Sequence, residues 1–352
     1  MLTERTPPAL QSVIVEPLRF TGSGSEYFRI WITNTFLTIV TLGIYSAWAK
    51  VRRTRYFYAN TRLAGASFDY HGKPTAILKG RVVALVLLVV YQLASESTRL
   101  LAAALFVLAL GGLPWLIWKS LQFRLFNSSY RGIRFGFSGS LQGAYIAYLL
   151  WPALASITGF LLAPFAHQRI KRYQHTQSRY GAARFDFNAG VGSFYLTYLK
   201  ALLVIAAGVA VLGLVFIGAL TMVPKRGMDA TTLSSVLAFV ATLYAWFFLA
   251  VPLFSAMMQN LVWNHTGIGP HRFDSRVSVA RVLFIALTNL VAIIFTLGLY
   301  TPFATIRMMK YRIEAMAMRV DGSLDDFVAD VQAQAGALGE GAADLLDLDL
   351  AL

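Results

Sequence analysis

Seven apolar stretches, at about 30–49, 82–95, 100–118, 141–166, 198–223, 232–258 and 279–306, divide the chain, and none has an Asp, Glu or Lys at its centre. A backbone in hydrocarbon must satisfy its own N–H and C=O groups, which restricts such segments to helices or closed barrels. Most of the stretches approach the roughly 20 residues that cross a bilayer as a helix. The composition agrees: 57% of the 352 residues are hydrophobic and 14% are charged, too apolar a balance for a water-dissolved domain. The expected fold class is an all-α polytopic membrane protein with internal repeats and small cytoplasmic β-hairpin patches. Residues 1–17 lack a basic region followed by an apolar one, so no cleavable signal peptide is expected.

Charge placement refines the topology. Of the 31 Lys and Arg residues, 28 lie outside the two charge-poor connections at 95–99 and 221–234, which hold 3. Short basic loops stay cytoplasmic. Seven alternating crossings would scatter these residues over both faces. The bias is kept if the first, fourth and seventh stretches enter and leave on one face. Asn34, Thr38, Thr41 and Gly43 interrupt the first, Pro152, Gly159 and Pro164 the fourth, and Asn289, Thr296, Gly298 and Pro302 the seventh. The competing reading is seven ordinary kinked spans.

The chain also repeats. Phe20-Thr21-Gly22 returns 117 residues on as Phe137-Ser138-Gly139, and at the same offset Ala49, Arg52, Arg55 and Tyr56 return as Ala166, Arg169, Arg172 and Tyr173. A further 138 residues on, Pro164-Phe165-Ala166, Arg169 and Tyr173 return as Pro302-Phe303-Ala304, Arg307 and Tyr311. A fixed offset held this long implies duplication. The division is a tail at 1–17, repeat unit 1 at 18–136, repeat unit 2 at 137–275, a partial unit 3 at 276–327 and an acidic tail at 328–352. Phe68/Tyr70, Phe135/Phe137 and Phe185/Phe187 alternate with other residues downstream of Gly65, Gly132 and Gly181, a hairpin pattern. The hairpins are expected to pair on one face; the alternative is amphipathic linkers lying on lipid.

The strings Thr41-Leu-Gly-Ile-Tyr-Ser-Ala-Trp-Ala-Lys-Val-Arg-Arg-Thr-Arg-Tyr56 and Asn60-Thr-Arg-Leu-Ala-Gly-Ala-Ser-Phe-Asp-Tyr-His-Gly-Lys-Pro74 resemble the YjgN-like family of bacterial inner-membrane proteins, a domain of unknown function. The resemblance runs from about 18 to 327. It implies a multi-pass protein of the bacterial inner membrane and brings no catalytic or binding residues with it. The middle copy departs from the pattern over Ala153–Pro164.

Two residue sets carry the functional reading. The basic junctions Lys50, Arg52, Arg55 and Tyr56; Arg169, Lys171, Arg172 and Tyr173; and Arg307, Lys310 and Tyr311 combine guanidinium forks that bind phosphate oxygens with aromatics suited to headgroup depth. They are candidates for anionic-ligand or lipid-headgroup binding, or plain positive-inside anchors. Asn34, Thr38, Asn289 and Thr296 place amides and hydroxyls at membrane depth, either lining a path between repeats or joining helices by hydrogen bonds.

No enzyme is expected. Asp69, Asp186 and Asp274 stand beside the aromatic patches in basic surroundings that favour ion pairing, and the five histidines show no ligand spacing for a metal. Gly72-Lys73-Pro74-Thr75 lacks the upstream glycine of a phosphate loop. No cofactor and no nucleic acid is implied. The expected partners are anionic membrane lipids; the acidic run Asp344-Leu-Leu-Asp-Leu-Asp is read as a disordered tail, the alternative being a dock for a cytoplasmic protein or for the basic face. The function that follows is a lipid-interacting or small-solute transporter or channel; the alternative is a scaffold that recruits cytoplasmic partners.

Overall fold

The computed structural model describes residues 14–221 and 230–334. Eleven strands form one sheet, and every pairing is antiparallel. They are β1 (Ile14–Pro17), β2 (Arg19–Phe20), β3 (Thr61–Leu63), β4 (Ala66–Tyr70), β5 (Ser128–Tyr130), β6 (Ile133–Phe137), β7 (Ser178–Tyr180), β8 (Ala183–Phe187), β9 (Thr266–Ile268), β10 (His271–Ser275) and β11 (Met316–Val320). From β2 to β11 the spatial order follows the chain, and β11 then pairs with β1.

The two ends of that order are halves of one segment. Ile14 faces Val320 on one side, Arg19 faces Arg62 on the other, and Leu18 between them donates its N–H to the Met316 carbonyl at 2.9 Å. The sheet therefore curls into a nearly closed barrel, which removes the exposed edges that lone hairpins would leave. This overturns the all-α expectation: the hairpins are staves of one barrel, and Ile14–Pro17, within the segment read as a tail, closes it. Ala64-Gly65 and Arg131-Gly132 turn two hairpins with both residues at positive φ, the geometry that suits the twist of two-residue hairpins.

Five helical hairpins connect the staves, so each begins and ends at the sheet. The first is α1 (Gly24–Val40) with α2 (Ser46–Ala59); the second α3 (Pro74–Ser97) with α4 (Arg99–Phe126). The third runs out through α5 (Leu141–Tyr145), a π segment (Ile146–Leu150) and α6 (Trp151–Ile157) and back through α7 (Ala163–Thr176). The fourth is α8 (Val191–Thr221) with α9 (Ala230–Trp263), and the fifth α10 (Val279–Phe295) with α11 (Thr301–Glu314). Each returning helix packs on the outgoing helix of the next hairpin, and α11 packs on α1, so the hairpins close a ring above the barrel.

Length separates the hairpins. The helices α3, α4, α8 and α9 are long and apolar enough to cross a membrane. By contrast α1 and α10 have 17 residues each, about 26 Å at 1.5 Å per residue, and then reverse. The reversal uses Leu42 and Gly43 at φ 48 and 91, and Leu297 and Gly298 at φ 50 and 90, a left-handed pair that glycine adopts freely. The interrupted stretches are thus helical hairpins whose two ends meet adjacent strands.

The barrel core joins Leu63, Tyr130, Ile133, Tyr180, Ile268, Met318 and Val320. Phe68, Phe135, Phe185 and Phe273, one from every second stave, stack in sequence at 6.4 Å between neighbouring rings. A last helix, α12 (324–334), adds Val328 and Val331 to this core. It is held by the Arg131–Asp325 ion pair and by Phe327, edge-on to His271 at 4.7 Å. The boundary drawn at 328 falls inside α12; the acidic run from Asp344 lies outside the described residues.

Candidate functional site

Each returning helix ends at a short strand, and at four of the five junctions the strand's first residue is a hydroxyl that caps the helix. Thr61, Ser128, Ser178 and Thr266 donate to the carbonyls of Phe57, Arg124, Gln174 and Val262 at 2.7–2.8 Å. The bond satisfies a carbonyl that a helix C-terminus leaves open and fixes the last helical turn against the barrel mouth.

Fixed in this way, the five helix ends line a half-open chamber of about 850 Å3 between ring and barrel. Phe68, Phe135 and Phe185 form its floor, and Phe57, Leu121, Phe254, Met258 and Met309 contribute apolar wall. Into it face Arg124 of α4, Lys171 and Gln174 of α7, Gln259 of α9 and Arg312 of α11, with His167 and His175. Neutral partners hold several of these. Arg312 donates to Gln259 Oε1 at 2.6 Å and to the Ser255 carbonyl at 3.4 Å, and Lys171 donates to Gln174 Oε1 at 3.4 Å. Gln174 donates in turn to the Tyr148 hydroxyl at 2.9 Å.

His175 Nδ1 lies 3.2 Å from Thr266 Oγ1, and its ring stacks on Phe187. Burial, reinforced by the nearby Lys171 charge, pushes His175 down to about 4, so its imidazole is neutral at pH 7. Burial also lowers Lys171 and Arg312, with Arg124 adding repulsion on Lys171.

Of the expected junction residues Lys171 lines the chamber, and the others sit elsewhere. Lys50, Arg52, Arg55 and Arg172 are exposed, as is Lys310, which lies 3.9 Å from Glu314. Arg55 donates to the Tyr70 carbonyl at 3.4 Å. Arg169 is half-buried over the Phe165 ring, and Arg307 donates to Thr288 Oγ1 at 2.8 Å and Asn289 Oδ1 at 3.2 Å. These cations occupy three separate helices, and none lines the chamber.

The three tyrosines share one structural task. Tyr56 accepts from the Ser23 N–H at 2.9 Å, Tyr173 donates to the Ser140 carbonyl at 2.7 Å, and Tyr311 accepts from the Ser278 N–H at 2.9 Å. Those serines are the N-caps of α1, α5 and α10. Each tyrosine therefore ties the end of a short hairpin to its beginning.

The membrane-depth polar residues are turned mostly inward on their own helices. Thr38 and Thr296 donate to the carbonyls of Asn34 and Ala292 at 2.6 and 2.7 Å, and Asn289 donates to the Ala304 carbonyl at 3.2 Å. Asn34 is buried, and its Oδ1 has no hydrogen-bond partner among the described residues. None of the four lines the chamber. Of the carboxylates beside the aromatic patches, Asp186 pairs with Arg272 and Asp274 with Arg276 and Arg319, whereas Asp69 enters no ion pair among the described residues.

Sequence reading reached Lys171 as part of a basic junction but missed Arg124 and Arg312, because it aligned the copies on those junctions. Counting back from the first residue of the following strand brings out the pattern, since Arg124, Gln174 and Arg312 each stand four residues before Ser128, Ser178 and Met316. Lys171 and Gln259 stand seven before Ser178 and Thr266, on the same helix face.

Comparison with known proteins places this architecture. The chain is similar to the inner membrane protein YjgN of Salmonella typhimurium, 32% identical over 146 residues, 41% of this chain and 37% of that protein. The YjgN of Escherichia coli O157:H7 is 24% identical over 281 residues, 78% of this chain and 56% of that protein. That of Escherichia coli K12 is 33% identical over 144 residues, 39% and 35% of the two chains. The chain thus spans between about a third and just over half of the length of these relatives. No solved structure matches. The DUF898 family model, described as a bacterial protein of unknown function, matches residues 15–345, from the closing strand β1 through all five hairpins to beyond α12, and the chain belongs to that family.

Proposed function

We propose that this is a multi-pass inner-membrane protein that takes a membrane-borne lipid or small solute into the chamber, acting by binding and transfer and not by catalysis, with the barrel on the cytoplasmic side. Four apolar helices and the names of the relatives support the location. Sidedness is supported by the charge-poor connections at 95–99 and 221–234, which in sequence join the two helices of each long hairpin, while most Lys and Arg residues lie outside them.

The observation that carries the reading is the chamber itself. A volume of about 850 Å3 is within the range that encloses a small organic ligand. Below it the aromatic barrel core stops the axis, so the geometry favours a binding chamber over a straight pore. Lipid anionic at the headgroup is the partner class this reading takes.

Ser255→Trp places an indole in the chamber wall. Wild-type protein released from membranes in mild detergent should carry a bound molecule in native mass spectrometry, and the Ser255→Trp protein should lose it. Equal occupancy in both proteins, or a bare wild type, would reject the chamber as the ligand site.

A further inference from the structure

The chamber gathers positive charge that no carboxylate of its lining meets. On the barrel, Arg272 meets Asp186, Arg276 and Arg319 meet Asp274, and Arg131 meets Asp325. In the chamber, Arg124, Lys171 and Arg312 converge from three helices with no Asp or Glu in the lining. None of the three enters an ion pair among the described residues. Gln174, Gln259 and the Ser255 carbonyl orient Lys171 and Arg312 but bring no opposing charge.

Lys171 and Arg312 are half-buried and Arg124 is exposed beside them, and holding like charges in a space that is partly desolvated at two of the three is costly unless an anion compensates them. Two of the three are guanidinium groups, whose planar fork matches phosphate oxygens bidentately. The remaining wall is apolar: Phe57, Leu121, Phe254, Met258 and Met309 surround the cations above the phenylalanine floor. A small inorganic anion would meet the charges and leave that surface uncovered. A neutral lipid tail would cover the surface and leave the charges unmet.

We propose that the chamber binds an amphipathic phosphate-type anion, its headgroup held between Arg124, Lys171 and Arg312 and its hydrocarbon against the apolar wall. This rests on the chamber reading above and gives its ligand a chemical class. The same chemistry arises in an anionic phospholipid and in a water-borne alkyl phosphate.

The test uses full-length protein stripped of lipid and offered phosphatidylglycerol and phosphatidylcholine in equal amounts, with retained lipid counted by native mass spectrometry and hexyl phosphate added as competitor. Wild type should retain phosphatidylglycerol over phosphatidylcholine by about tenfold or more, since phosphatidylcholine, whose phosphate bears the same charge, brings a quaternary ammonium that the three cations repel. The triple variant Arg124→Gln, Lys171→Gln, Arg312→Gln should retain both equally. A charge-conserving variant, Arg124→Lys with Lys171→Arg, should keep the preference, which separates lost charge from lost fold. Binding of hexyl phosphate that depends on the three cations, without lipid selectivity, would uphold the anion site and assign it to a soluble ester.

Equal retention of both lipids by wild type with no competition from hexyl phosphate, while Ser255→Trp still expels a bound molecule, would overturn the anion proposal and leave the chamber reading standing. If Ser255→Trp expels nothing and no lipid is retained, both fall.

Discussion

The barrel and the helical ring grow from the same hairpins yet bury themselves by opposite means. In the barrel, Leu63, Tyr130 and Val320 are 5%, 4% and 2% exposed, and an aromatic stack fills the centre. In the ring, Leu42 and Leu297 at the hairpin tips are 94% and 95% exposed, and the most apolar window of α3 has no buried residue. The barrel makes its own apolar interior and its strands leave few open hydrogen bonds. The ring presents apolar surface outward on all sides, far more than the few hundred Å2 that a water-dissolved protein exposes in one patch. One half is therefore complete in water, and the other is complete only in lipid.

The comparison breaks outright if the barrel does not share one aqueous side. The chain has no cysteine, so single replacements report cleanly. Arg184→Cys on β8 and Ser95→Cys at the far end of α3 are both exposed sites. An impermeant maleimide applied to spheroplasts should label Ser95→Cys nearly completely and Arg184→Cys only after permeabilisation. The reverse pattern would invert the orientation; labelling of both without permeabilisation would end the two-environment description.

A smaller effect is expected from the cores. Phe135 lies 5.2 Å from the Tyr180 ring and 6.4 Å from both Phe68 and Phe185, so Phe135→Ala should cost about 3–5 kcal/mol through lost burial and the cavity left behind. Phe295 at a hairpin tip is 84% exposed, and Phe295→Ala should change stability by about 0.5 kcal/mol or less. Thermal unfolding of the purified protein in detergent measures both. Equal losses would mean that detergent-facing apolar residues hold the fold as strongly as the barrel core does.

Sequence reading reached these two regions unequally, for physical reasons. The ring was legible because lipid selects long apolar runs, and the glycines and prolines at Gly43, Gly159, Pro164, Gly298 and Pro302 marked where hairpins reverse. The barrel was only half legible. Alternation at Phe68/Tyr70, Phe135/Phe137 and Phe185/Phe187 showed strands, but closure depends on pairings such as Phe185 with Ile268 and Ile14 with Val320, between segments separated by whole hairpins. Nothing local encodes such partners, and strands of two to five residues give weak patterns. The chamber was least legible. Arg124, Lys171 and Arg312 look like any other basic residue in a positive-inside loop until the strand junctions set a common register.

The smallest effect is expected where the two regions meet. Tyr56, Tyr173 and Tyr311 each reach back 33 residues to the capping serine of a short hairpin, whereas α3 has Lys73 at its N-cap position, which gives no side-chain cap. A long hairpin gains lipid contact along its whole length, while a short one has less to hold its base in place. The tyrosine clamp supplies a local substitute. Replacing the hydroxyl alone, as Tyr173→Phe or Tyr311→Phe, should cost about 1 kcal/mol, the usual net value of one hydrogen bond. Tyr56→Phe should cost more, because Tyr56 also donates to the Ser23 carbonyl at 3.0 Å and lies 3.2 Å from Glu26 Oε2. The stacked Tyr27 ring, 5.6 Å away, remains in all cases. Amide hydrogen exchange separates this from a global effect: protection should fall in the first turn of α1 in Tyr56→Phe and stay unchanged in β5–β8. Loss of protection across those strands would show that the clamps hold the barrel and not the hairpins, and that the two regions do not fold as separable layers.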